Sequence, residues 1–275
     1  MTTPEPDRLI TRRGLLLGSA AVAGLAAVTG CVSSAKGPSP TSLPPGTSSL
    51  VSPTNAVGSV TTVSPSASSI TASVAEATYV NHGPRTGKQM SLTFHLSGDR
   101  KVVVRLLDLL KAANVSVTVM AVGSWITDNA DIGRRVVADG HELGNHTQHH
   151  LNMGGLDRAT IFKEIVDGGQ SLVPFIGSIG RWFRPSAIDV PTHKILQETK
   201  HAGYAVSLGY DVDSKDNHDP GSAAVVANVK AGVQAGSIVS HHFGHPGTIT
   251  AMPKILDHLA SVGLKPVTVG TLLGP

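Results

Sequence analysis

From about residue 78 onward, short apolar runs alternate with segments whose apolar positions recur every three to four residues. The runs 90–94, 115–122, 142–143, 182–184, 205–210, 237–240 and 266–269 read as strands, and 102–113, 132–139, 159–173, 193–202, 223–235 and 252–262 as helices. Gly140, Gly203, Gly236 and Gly263 stand just past four of the helical runs, where a left-handed cap favours glycine. Strands that are apolar throughout are buried on both faces, which implies a parallel sheet covered by helices. About seven such βα units suffice to curl the sheet, so the pattern predicts an α/β fold, a distorted (β/α)7-8 barrel occupying residues 78–275.

The rest of the chain has a different grammar. Thr11-Arg12-Arg13-Gly14-Leu15-Leu16 opens an Ala/Gly/Leu run too short to span a bilayer, the pattern of a twin-arginine export signal. Val28-Thr29-Gly30-Cys31 is similar to a bacterial lipobox, and Cys31 is the only cysteine, so lipidation rather than an internal disulfide is expected of it. Residues 1–31 are therefore expected to be a lipoprotein signal, and Cys31 a membrane anchor on the outer face of the bacterial cytoplasmic membrane, with secretion as the alternative. Residues 32–77, rich in Ser, Thr, Pro and Gly with little charge, read as a disordered tether, because they offer too little apolar surface to offset the entropy of ordering. The formal charge is +3, and removing Arg8, Arg12 and Arg13 with Glu5 and Asp7 leaves +2. With 4% aromatic residues and no basic stripe, nucleic acid is not an expected partner. Oligomeric state is not encoded legibly.

Chemistry-bearing residues cluster just past the predicted strands: His95 and Asp99 after the first, His146 and His150 after the third, Arg184 after the fourth, Asp213 and Asp216 after the fifth, His242 after the sixth. In a barrel, these carboxyl ends share the face on which active sites are built. Within Gly144-Asn145-His146-Thr147-Gln148-His149-His150, residues 146 and 150 would share one face of a helical turn and converge on a cation, with His146/His149 as the alternative pair. The acidic run 211–216 lacks the glycine and distal glutamate of a calcium loop.

These segments resemble the polysaccharide deacetylases of carbohydrate esterase family four over nearly the whole globular part. His141 through His150 resembles the family's second motif, H[ST]xxH. Phe183-Arg184-Pro185-Ser186 resembles the third, Asp213-Ser214-Lys215-Asp216 the fourth, and the segment 236–242, ending in His242, the fifth. The first motif, TFDDG, is replaced by Thr93-Phe94-His95-Leu96-Ser97-Gly98-Asp99: His95 stands where the family has its base, and Leu96 where it has a metal-binding aspartate.

The resemblance implies a metal-dependent hydrolase acting on the N-acetyl groups, or the O-acetyl groups, of a cell-envelope glycan such as peptidoglycan or chitooligosaccharide. His146, His150 and Asp99 are then expected to hold a divalent ion, Zn2+ first and Co2+ or Ni2+ as alternatives, since such a site lowers the pKa of bound water. The base is His95 or Asp99, Arg184 orients the first-motif group, and His242, held by Asp216, is the general acid. Trp182 is expected in the core, and His241 is expected to face away from His242. The competing readings are a non-catalytic glycan-binding lipoprotein and a hydrolase of a small non-sugar amide or imide.

Overall fold

The computed structural model describes residues 75–274. The export signal, Cys31 and all but the last few residues of the tether lie outside them. The described residues contain eight strands: β1 (Thr78–Val80), β2 (Gln89–Leu96), β3 (Thr118–Ala121), β4 (Glu142–Asn145), β5 (Val206–Leu208), β6 (Val212–Asp213), β7 (Ile238–His242) and β8 (Lys265–Pro266). The principal helices are α1 (Arg100–Ala112), α2 (Gly123–Asp128), α3 (Ala130–Ala138), α4 (Arg158–Gln170), α5 (Val173–Ile176), α6 (His193–His201), α7 (Ser222–Gly232), α8 (Pro246–Ser261) and α9 (Val269–Leu273).

Every ladder between strands is parallel. The main sheet runs β4-β3-β2-β7-β6, with β8 also on β2, while β1 and β5 form a separate pair. Single-residue bridges from Phe183 to Asn145 and to Ser207 carry the curvature from β4 round to β5. The fold is α/β with parallel sheets, and the ladders do not close into a continuous ring.

β2 is the axis of this arrangement. Every residue from Met90 to Leu96 is buried, as a strand covered on both faces requires. Its apolar side chains pack with Val103, Leu106, Leu107 and Leu110 of α1 and with Met252, Ile255 and Leu259 of α8. Register then aligns the carboxyl ends: His95 pairs with His242 on β7, Ala121 on β3 with Asn145 on β4, and Asp213 with Ser240. Gly140, Gly203 and Gly263 cap helices as expected, with φ of 82°, 95° and 72°, whereas α7 ends earlier, at Gly232, and Gly236 (φ 78°) instead turns the chain into β7.

Candidate active site

A cavity of about 350 Å³ opens at the carboxyl ends of the strands. His95, His146, His150, Arg184, Asp213 and His242 line it, together with Asp189, Tyr210, Asn217 and His218. Most of the residues singled out in the sequence meet here, although they arrive from separate segments.

Arg184 sits beneath the cavity floor, 2% exposed. Its Nε donates to the Leu208 carbonyl (3.1 Å), its Nη2 to the Gly209 carbonyl (2.9 Å), and its Nη1 to Thr93 Oγ1 (2.9 Å) and His95 Nε2 (3.1 Å). The guanidinium also lies over the Tyr210 ring, 5.4 Å from its centre. Burial pulls it down to about 10, still cationic at neutral pH. His95 in turn has its Nδ1 2.7 Å from His242 Nε2, and His242 Nδ1 lies 2.8 Å from Asp216 Oδ1. Asp216 is 1% exposed, and its Oδ2 accepts from the His242 N–H and from Thr248 Oγ1. Burial alone would raise this carboxyl group, but the neighbouring imidazoles of His241 and His242 outweigh it and hold it well below the ordinary carboxylate range.

The second-motif segment reaches its geometry differently from the helical turn expected. Residues 146–150 form no helix; Thr147 (φ 67°) and His150 (φ 58°) take left-handed backbone, and the loop folds the two imidazoles together with ring centres 4.9 Å apart. Such backbone is uncommon for residues with a Cβ and is held here by surrounding bonds. Asn145 Oδ1 accepts from Thr147 N–H, Thr147 Oγ1 accepts from His150 N–H, and α4 packs so tightly behind that a Cβ at Gly168 would lie 2.4 Å from Asn145 Oδ1 and 2.7 Å from the Thr147 carbonyl carbon. His149 is drawn away, with its Nδ1 2.7 Å from Glu164 Oε1 and its side chain 57% exposed.

His146 is 1% exposed, with Nδ1 2.9 Å from the Arg184 carbonyl. A carbonyl only accepts, so Nδ1 carries the proton and Nε2 keeps its lone pair. That Nε2 is buried and has no partner. A ring nitrogen anchored through its second nitrogen is how proteins present histidine to a metal. Burial holds His146 well below the ordinary histidine value and lowers His150 as well, so both are neutral, as ligands must be.

Asp99, expected as the third ligand, does not join them. Its Oδ1 accepts from the N–H groups of Lys101 (2.7 Å) and Val102 (3.2 Å), capping α1, and it does not line the cavity. A carboxylate at a helix start satisfies backbone donors that nothing else reaches, and this local demand takes the side chain. Leu96, at the other family ligand position, is buried in the core. Among the described residues no group of three or more His, Cys, Asp or Glu is arranged to hold a metal. The donors present thus fit a divalent ion through His146 and His150, without Asp99.

Three further placements bear on the site. Trp125 Nε1 donates to the Gly98 carbonyl (3.0 Å), pinning the first-motif loop, and a Cβ at Gly98 would meet the Gly244 Cα at 2.7 Å, so the loops after β2 and β7 touch backbone to backbone. Trp182 is core, 1% exposed, its Nε1 bonded to Glu142. His241 faces away from the cavity, fully buried and stacked on Phe94. The sequence did not reveal Asp189, which accepts from Tyr210 Oη (2.6 Å), nor His218; neither lies at a strand end. Tyr210, just past β5, was the most findable of the missed residues.

Imidazoles, a buried arginine and a carboxylate-backed histidine thus gather at the carboxyl edge of a parallel sheet. Residues 82–207 match the model of the polysaccharide deacetylase family. A peptidoglycan-N-acetylglucosamine deacetylase of Bacillus cereus is 29% identical over 194 residues, covering 69% of this chain and 90% of that relative. A family 4 acetyl xylan esterase from Clostridium thermocellum, solved in complex with a cobalt ion, superposes with TM-score 0.61 at 28% identity, covering 67% of this chain and 90% of that one. A CE4 family pseudoenzyme from Bacillus anthracis shares the fold, with TM-score 0.67 at 22% identity over 73% and 70% of the two chains. Over residues 82–207 the chain thus resembles the polysaccharide deacetylases, a likeness that extends to an N-acetylglucosamine deacetylase and an acetyl xylan esterase.

Proposed function

We propose that this chain is a metal-dependent deacetylase that removes N-acetyl groups from a cell-envelope glycan, peptidoglycan or chitooligosaccharide, after export and anchoring through Cys31. The observation that carries the reading is His146: a buried, neutral imidazole with Nδ1 fixed on the Arg184 carbonyl and Nε2 left without a partner, beside His150 in the cavity. The Bacillus cereus relative supports the substrate class.

His146 and His150 would hold the ion, Zn2+ by donor type, with Co2+ or Ni2+ fitting the same imidazoles. When bound, such an ion acidifies a coordinated water and polarises a carbonyl oxygen. The remaining work falls to the protein: Arg184 fixes His95, Asp216 fixes His242, and Tyr210 with Asp189 forms cavity wall. Acetate release from peptidoglycan and from N-acetylated chitooligosaccharides, measured with bound metal by elemental analysis, tests the reading. His146→Ala is expected to lose both, and undiminished turnover in that variant rejects it.

A second reading is favoured by the 2.7 Å contact between His95 and His242, in which the groups at the family's base and acid positions satisfy one another. In that case the chain binds glycan without cleaving it, and stoichiometric binding with no acetate release is the outcome that selects it.

A further inference from the structure

Building on the hydrolase reading, we propose that His242, backed by Asp216, is both the proton acceptor and the proton donor of the reaction, and that His95 is a positioning residue rather than the base. The argument is one of hydrogen-bond direction. A guanidinium only donates, so the 3.1 Å contact with Arg184 Nη1 makes His95 Nε2 an acceptor and leaves the proton of the neutral ring on Nδ1. A carboxylate only accepts, so the 2.8 Å contact with Asp216 Oδ1 puts a proton on His242 Nδ1 and leaves the lone pair on Nε2. The 2.7 Å contact between His95 Nδ1 and His242 Nε2 is then His95 donating to His242, and all four groups agree in one direction from buried cation to buried anion.

The two rings also differ in what they are bonded to: His242 Nδ1 lies 2.8 Å from the carboxylate of Asp216, itself 1% exposed, whereas His95 Nε2 lies 3.1 Å from the Arg184 guanidinium. Of the other acidic groups, Asp99 caps α1, Asp189 accepts from Tyr210, and Asp213 Oδ1 accepts from the Lys215 N–H.

In the step this assigns, a water displaces the His95 N–H at His242 Nε2 and donates one O–H to it. The proton passes to Nε2 as the water oxygen bonds to the amide carbonyl carbon, and Asp216 holds the resulting imidazolium. The same Nε2 proton then moves to the amide nitrogen as the carbon–nitrogen bond breaks, releasing acetic acid and a free amine and returning His242 to neutral. No other co-reactant is needed.

Two measurements test this on the full chain. Nitrogen NMR of 15N-histidine-labelled protein reads each ring's tautomer, and both His95 and His242 are expected as Nδ1–H; an Nε2–H tautomer on His242 overturns the proposal. Kinetics with 4-nitrophenyl acetate, whose leaving group needs no proton, separate base from acid. His242→Ala is expected to slow both this ester and N-acetyl glycan on the order of 10²–10⁴-fold, whereas ester cleavage kept at the wild-type rate would make His242 an acid only. His95→Asn is expected to slow the ester by a smaller factor than His242→Ala; an equal loss would restore His95 as the base. If wild-type protein cleaves the ester but no glycan, the substrate assignment fails and the base assignment stands.

Discussion

At Asp99 a single carboxylate has two claims on it, a metal and a helix. In the structure the helix wins, with two backbone N–H groups of α1 bonded to one oxygen. Asp99→Ala is accordingly expected to cost about 1 kcal/mol of stability, the usual worth of such a cap, and to leave bound metal unchanged. Urea denaturation with metal analysis checks this, and loss of metal would return Asp99 to the ligand set. The sequence could not separate the two roles, because an aspartate three residues past a strand end and one residue before a helix suits both. His146 and His150 were legible from spacing alone, although the loop that joins them is left-handed rather than helical. The partnership of His95 with His242 was not legible, since it depends on cross-strand register between residues 147 apart in the chain.

Elements with strong periodicity were read nearly to their ends: α1, α3 and α6 each lie within two residues of the segments predicted. The short ones were not. β1, β6 and α2 carry too few residues for a period to show, and Val269, read as the end of a strand over 266–269, opens α9 because Thr268 caps a helical turn there. Residues 182–184 make only isolated bridges, through Phe183. What matters most for the site is how α4 buttresses the loop after β4. Gly168→Ala places a methyl group against Asn145 and Thr147, and the cost is expected to be about 1–3 kcal/mol, typical of overpacking. Because the same loop carries His146 and His150, acetate release is expected to fall further than stability does. A thermal melt alongside the activity assay checks this; full activity would show that the loop yields without disturbing its imidazoles.

Across the whole molecule, buried neutral imidazoles set the response to acid. Burial lowers His95, His141, His146 and His150 in the folded state, whereas in the unfolded chain they titrate near about 6.5. Below that value the unfolded chain binds more protons than the folded one, so stability is intact above it and declines as pH falls through it toward the lowered folded values, by up to about 1.4 kcal/mol per pH unit for each proton. The melting temperature is expected to drop between about pH 7.5 and about pH 5.5, and to drop less in His141→Gln, which removes one such ring away from the cavity. A flat melting profile would contradict the burial argument. Asp216, lowered instead of raised, adds its own loss only at far more acidic pH.

The abutting glycines at 98 and 244 also limit how this chain can change. Any side chain grown at either would wedge apart the turns that follow His95 and His242. Leu96 points into packed hydrocarbon, where an ionised group has no hydration. Substitutions that would place an acidic group at the end of the strand itself are thereby confined to position 95, and each of them gives up the imidazole that Arg184 holds.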